Sequence, residues 1–240
     1  MAKQSSAHST RINGKEVEVR IQSHPASRKL SLRLITGENA VKVVSPPGYP
    51  LREILDFVSR QHDWIARRLE QNPEIPPYHH GMTIPILGKD HRIIRIEPGT
   101  AANKNKGAAW LEAEQLFIKS HEEHLPRRVS DFLKGEVRYE ITLRAREKSA
   151  KIEKKIAGIR IKDTTSRWGS CSSSGNLNFS WRLIFTPEAV LDYVVAHEVA
   201  HLVHMNHSPD FWRLVDQLTS SRKTSQRWLK QHGSRLLTYG

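Results

Sequence analysis

Residues 186–212 read TPEAVLDYVVAHEVAHLVHMNHSPDFW, and the order of these side chains predicts two helices joined at an elbow. Thr186 can cap free backbone amides, Pro187 suits a first helical turn, and Glu188 complements the positive end of the helix dipole, so a helix is expected to begin here. It carries His197-Glu198-Val199-Ala200-His201, the HExxH pattern. Histidines four residues apart lie one turn apart on one face, about 6 Å along the axis, so both imidazoles can reach a single metal ion.

A catalytic zinc ion takes three protein ligands and leaves a fourth position for water. The candidates for the third ligand are His204 and His207. His204 shares the face of the first pair, but its Cα lies about 10 Å along the axis from that of His197, too far for three rings of one straight helix to meet. His207 follows Asn206, a residue type that takes the left-handed helix-ending conformation. It precedes Ser208-Pro209-Asp210, a fresh cap, first turn and acidic start. The helix is therefore expected to break at Asn206, leaving His207 in the elbow as the third zinc ligand. Metzincins share this spacing, although here Met205 stands two before the last histidine and His204 occupies their glycine position. Three neutral imidazoles acidify a bound water toward neutrality, and Glu198, beside His197, is placed to accept its proton and return it to a leaving amine. The expected chemistry is zinc-dependent amide hydrolysis.

Upstream, Ile159 and Ile161 start a strand. Leu177, Phe179, Trp181, Leu183 and Phe185 alternate with Asn178, Ser180, Arg182 and Ile184, which predicts a strand with one buried face. Ser172-Ser173-Ser174-Gly175 supplies a turn back to Arg167–Cys171, so a β-hairpin leads directly into the helix. Its edge from Leu177 to Phe185 is a candidate for pairing with an extended peptide, placing Asn178, Ser180 and Arg182 beside the substrate; a polar solvent face explains the same pattern. Residues 126–154 are helical in character, with Val129, Phe132 and Leu133 on one face and Gly158 as the stop.

Farther toward the N-terminus, Val17, Val19 and Ile21, then Leu30, Leu32 and Leu34, then Val41 and Val43 alternate with polar residues as strands do. Leu51, Ile54, Leu55, Val58, Ile65 and Leu69 form the stripe of an amphipathic helix over 51–71. A hairpin is expected around Gly88-Lys89-Asp90, a loose linker over 98–107, and a short strand pair over 108–118. This divides the chain into a β-rich region, 1–107, and a core, 108–240, that ends in a basic tail.

The chain of 240 residues carries a formal charge of +13. The excess is spread along it: residues 1–108 hold 17 Lys/Arg against 10 Asp/Glu, and 109–240 hold 21 against 15. After Asp216 there is no acid, while Arg222, Lys223, Arg227, Lys230 and Arg235 follow. Such charge attracts polyanions, nucleic acid among them, but it also serves as a solubilising surface, and a solvated tail is the preferred reading. A lone cysteine, Cys171, excludes an intramolecular disulfide, and MAKQSSAHSTRINGKEVEV at the start has no apolar stretch of a secretory signal. No window approaches the roughly 18 apolar residues of a membrane span. A cytoplasmic location is expected.

Trp168-Gly169-Ser170-Cys171, Gly175-Asn176-Leu177-Asn178-Phe179, Trp181-Arg182-Leu183, Tyr193-Val194-Val195, the HExxH pair and Asn206-His207-Ser208-Pro209 with Phe211-Trp212 resemble the YgjP-like metallopeptidase domain. One departure is Val199, where the family usually has Leu. The resemblance implies a zincin-type core related to SprT-like and Wlm-type proteases, with zinc on the three histidines. The fold class expected is thus α+β: an N-terminal antiparallel β-rich part with one helix, then a zincin-like core in which a hairpin or sheet packs on the HExxH helix.

Other residues bear on rival functions. His204 or Cys171 could complete a closed four-ligand site in a non-catalytic, nucleic-acid-associated zinc protein, which would leave Glu198 without a task. The relatives raise a third reading, proteolysis of DNA-bound proteins. Asp192 and Asp210 are candidate hydrogen-bond partners for a ligand histidine. His79-His80 and His121/His124 have metal-compatible spacing in polar stretches and are read as bystanders, while Trp64, Trp168, Trp181 and Trp212 are read as packing residues. A peptide or protein substrate is the expected partner.

Overall fold

The computed structural model describes residues 5–35, 38–71, 76–99, 106–164 and 167–236. Contacts divide the chain into one compact unit within Met1–Ile75 and another over Pro76–Leu236.

In the first unit, β1 (Ser5–Ile12), β2 (Lys15–Ser23), β3 (Ser31–Ile35) and β4 (Ala40–Ser45) make one sheet in the order β1-β2-β4-β3. The strand alternation buries Val17, Val19, Ile21, Val41 and Val43 against Ile54 and Val58 of α1 (Leu51–Arg60) and Ile65 and Leu69 of α2 (His62–Gln71). Two expectations need correction. The sheet is mixed, not antiparallel: the chain passes to the far edge for β3 and turns back, so β4 lies parallel to β2. The single helix over 51–71 is two, because Gln61 takes φ −95° and ψ 11° and its N–H bonds to Val58. Ile65 N still donates to Gln61 O, so the apolar stripe survives a break one residue wide.

In the second unit, β5 (Thr83–Ile86) and β6 (Lys89–Ile96) form the expected hairpin. Leu87 and Gly88 at its tip both have positive φ, 50° and 84°, as a tight two-residue turn requires. With β7 (Ala109–Glu112) and β8 (Gln115–Lys119) they make a sheet ordered β5-β6-β8-β7, in which β6 and β8 are parallel. Residues 98–107, most of which lie outside the described residues, therefore connect two strands of one sheet and do not separate compact units; the division falls at Ile75–Pro76. The hairpin tip touches the entry to the HExxH helix. Leu87 N donates to Ile184 O at 2.7 Å, and a Cβ at Gly88 would stand 3.1 Å from Pro187 Cα.

The long α3 (Leu125–Lys151) buries Leu125, Val129, Leu133, Val137, Ile141 and Ala145, a row at steps of four. It ends at Lys151 with Ile152 as C-cap, and Glu153 after it takes φ 52°; Gly158, the expected stop, instead opens β9 (Gly158–Lys162). The strands β10 (Gly169–Cys171) and β11 (Asn176–Ser180) complete a sheet ordered β10-β11-β9, with β10 antiparallel and β9 parallel to β11. The strand expected to run on to Phe185 stops at Ser180. Ser180 Oγ accepts from Arg182 N, and Trp181–Phe185 winds into a 3-10 helix with all five side chains buried. Burial on every side, not on one strand face, accounts for that apolar run.

The helix α4 (Glu188–Ala200) packs against α3, β10, α5 (Pro209–Leu218) and α6 (Arg222–Leu236), as its nearly continuous apolar sequence demands. The stretch read as a basic tail is α6, held in part by Ser221 and Ser225, whose hydroxyls both donate to Ala189 O. Among the described residues no helix is long and apolar enough to cross a membrane. The architecture is α+β.

Candidate metal centre

The helix carrying the motif begins differently from the expected cap. Pro187 is the N-cap residue, and Thr186 Oγ1 donates backward to Leu183 O. It also ends earlier than expected, at Ala200, with His201 as C-cap. Leu202 N and Val203 N bond three residues back, to Val199 O and Ala200 O, and this tightened turn sends the chain away from the axis. Asn206 has no positive φ, so the predicted left-handed break there is absent. The second half of the expected elbow is present: Ser208 Oγ accepts from Phe211 N, and Pro209 opens α5.

The turn brings His207 back to the helix. Ring centroids are 5.0 Å apart for His197–His201 and His197–His207, and 4.9 Å for His201–His207. Nε2 of His207 lies 3.1 Å from Nε2 of His197, and one candidate ligand atom from each ring lies within 4.8 Å of the others. Two nitrogens on a tetrahedral zinc ion stand about 3.3 Å apart, given Zn–N bonds of about 2.0–2.1 Å. The donor set is three imidazoles, and its spacing fits one such ion. The His204 ring and the Cys171 thiol do not join this group.

His204 acts through its backbone instead. Its carbonyl accepts from His201 Nδ1 at 2.9 Å, which places the proton on Nδ1 and leaves Nε2 free as a ligand. Asp192 and Asp210 do not support the histidines: Asp192 pairs with Lys148 at 2.7 Å and accepts from Thr219 Oγ1, while Asp210 pairs with Arg213. Among the described residues His197 Nδ1 is buried without a hydrogen-bond partner. Burial, then the neighbouring His201 and His207, lowers the His197 pKa to about 4, and burial foremost lowers that of His201. Both rings are thereby held neutral, the state a metal ligand needs.

Two contacts were not foreseen from the sequence. Phe211, fully buried, sets its ring 4.9, 4.5 and 4.8 Å from those of His197, His201 and His207, a common floor for all three. Trp212, read as a packing residue, stacks on His207 at 5.6 Å with its ring planes 23° apart, and the Arg222 guanidinium lies 5.2 Å from the Trp212 ring. The i+4 and i+5 spacing of Phe211 and Trp212 from His207 across a capped helix start was the available signal.

Glu198, 5 % exposed, points from α4 toward β10, and burial raises its carboxyl to about 8. A Cβ at Gly169 would lie 2.5 Å from Glu198 Oε1 and 2.7 Å from Cδ, so the first residue of β10 must be glycine for the carboxyl to sit there. Gly169→Ala is expected to push Glu198 aside and cut kcat by about 100-fold, the scale of an ångström-level misplacement, while metal content stays at the wild-type level. Steady-state kinetics with metal analysis checks this; loss of both together would point to a folding defect instead.

The edge expected to meet a peptide is also relocated. β11 is central, flanked by β10 and β9; Ser180 is fully buried and Arg182 is buried in an ion pair with Asp163. Asn178 donates to Ser170 Oγ. The edge beside Glu198 is β10. The outlying histidines pair elsewhere: His80 Nδ1 accepts from Arg95 N, and His121 contacts Glu97.

Comparison with protein families matches residues 28–232 to the YgjP-like metallopeptidase domain. The chain belongs to that family, which its description makes a family of metal-dependent proteases. No curated protein and no solved structure matched the chain.

Proposed function

We propose that the chain is a zincin-type, zinc-dependent peptidase of the cytoplasm, with His197, His201 and His207 as ligands to one ion and Glu198 as general base. The observation that carries this reading is the convergence of three imidazoles, two of them held neutral, beside a buried carboxyl at the edge of a sheet. When bound, zinc supplies polarisation of a carbonyl and acidification of water. The chain's own residues do the rest. Glu198 takes a proton from the attacking water and delivers it to the departing amine nitrogen. Phe211 and the His204 carbonyl hold the ligand rings in place, and Gly169 lets the carboxyl lie against β10. An extended substrate adds along β10, an edge strand beside which no further strand pairs among the described residues.

Casein and a mixed peptide library, incubated with zinc-loaded protein, test this directly. Cleavage is expected to stop on chelation and return with about one equivalent of zinc. Cleavage that persists in fully metal-free protein, or no cleavage of any peptide, would sink the reading.

A further inference from the structure

Residues 154–162 read KKIAGIRIK: Lys154, Lys155, Arg160 and Lys162 with no acid among them. They run from the end of α3 into β9, and β9 is the other edge of the three-stranded sheet. Together with Arg146 of α3, Lys154 and Lys155 line a groove of about 560 Å³ that Ile156, Ala157, Gly158 and Ile159 also line. All five cations are exposed, and none has an ion-pair partner among the described residues. Of the acids nearest in sequence, Glu147 pairs with Lys151 and Asp163 with Arg182, while the exposed Glu153, directly before Lys154, makes no ion pair with these cations among the described residues. A lysine or two on an edge strand is the usual protection against edge-to-edge pairing. Here Arg146 of the helix and Lys154 and Lys155 of the turn line one groove, and Arg160 and Lys162 follow on the strand that runs from it, a concentration of cations that protection of an edge does not require.

The groove lies close to the metal centre along the chain's own contacts. Ala157 N donates to Gly175 O at 3.0 Å, and a Cβ at Gly175 would stand 3.7 Å from Ala157 Cβ and equally far from Cδ2 of Leu202, which follows His201. Its chemistry favours one occupant. Beyond the ladder to β11, no backbone hydrogen bond to Gly158–Lys162 covers the outer side of β9 among the described residues, so alternating N–H and C=O groups are offered there. An extended peptide matches that alternation, whereas phosphates would face carbonyls. Arg160 and Lys162, two apart, project on one face of the strand, where acidic side chains of an added strand would pair with them. The groove lining has no aromatic side chain on which a nucleic-acid base would stack.

We infer that the outer edge of β9, with Arg146, Lys154 and Lys155, docks an acidic, extended segment of the polypeptide substrate. This rests on the peptidase reading, but its test measures binding alone. A fluorescein-labelled peptide of alternating Glu and Val is titrated with the full-length protein and read by fluorescence anisotropy at low and at physiological salt. Charge reversal at Lys154, Lys155 and Arg160 is expected to weaken binding at least tenfold. Reversal at Lys223, Arg227 and Lys230, cations of α6, is expected to change it less than twofold. Peptide N-methylated on alternate amides is expected to bind at least fivefold more weakly. Equal losses in the two triple variants would show that bulk charge alone attracts the peptide and would overturn the inference, as would no binding. An oligothymidylate that binds more tightly than the peptide and depends on the same three residues would assign the groove to nucleic acid and overturn it equally. Binding as expected, with no cleavage of any peptide, would remove the peptidase reading and leave the docking strip standing.

Discussion

Replacing Glu198 by Gln is expected to lower peptide hydrolysis by about 10²–10⁴-fold while leaving zinc content unchanged, the range a positioned general base contributes. The amide has nearly the shape of the carboxyl, so packing against Gly169 is preserved and only the capacity to take a proton is lost. A closed structural zinc site would predict no change, because the carboxyl would then have no reaction to serve. The same variant carries a second expectation for the metal-free protein. The Glu198 carboxyl is raised from 4.5 to about 8 by burial, so its contribution to stability is full below about pH 4.5 and is lost as pH rises through 8. Gln does not titrate. Metal-free Glu198→Gln protein should therefore match wild type near pH 4.5 and melt several degrees higher at pH 8.5, since each tenfold difference in proton affinity between the folded and unfolded states corresponds to about 1.4 kcal/mol at most. Thermal melts at the two pH values check it; a lower melting temperature for the variant at both would contradict the burial argument.

The role proposed for Glu198 follows from its place beside His197 in one helix, and local periodicity fixes that place. What could not be read is what lies across from it. Gly169 is 29 positions away, and only the antiparallel return of β10 on β11 brings it against the carboxyl. Element type was legible where burial follows a single face, as in β2, β4 and α3. It failed where burial is on all sides: Trp181–Phe185 alternates no more faithfully as a strand than as a 3-10 helix, because every side chain is covered. Sheet pairing was also beyond local pattern. The parallel pairs β2–β4, β6–β8 and β9–β11 each join segments separated by a crossover, and hydrophobic alternation is the same in parallel and antiparallel strands. The elbow before Ser208 was anticipated for half its reasons. The cap at Ser208 is real, but the turn begins at His201 with bonds three residues back, a choice among similar helical geometries that side-chain identity does not announce.

That earlier turn brings the His207 ring, and not the His204 ring, into the group with His197 and His201, so under the proposed function their substitutions diverge. His207→Ala is expected to weaken zinc binding by more than the 10–100-fold that loss of a supporting partner costs, because a direct donor disappears. Trp212 and Phe211 would remain in place but with no imidazole to hold, so the fold should persist. His204→Ala is expected to leave affinity near the wild-type value. Its ring is not in the donor group, and the atom that orients His201 is the backbone carbonyl, which alanine retains. Titration of metal-free protein with zinc against a competing chromophoric chelator gives both constants. Cobalt substitution adds an independent readout, since the visible absorption of a tetrahedral three-histidine site should collapse in His207→Ala and survive in His204→Ala. If instead His204→Ala abolished binding and His207→Ala spared it, the tightened turn after Ala200 would have to open in solution and carry the His204 ring to the ion.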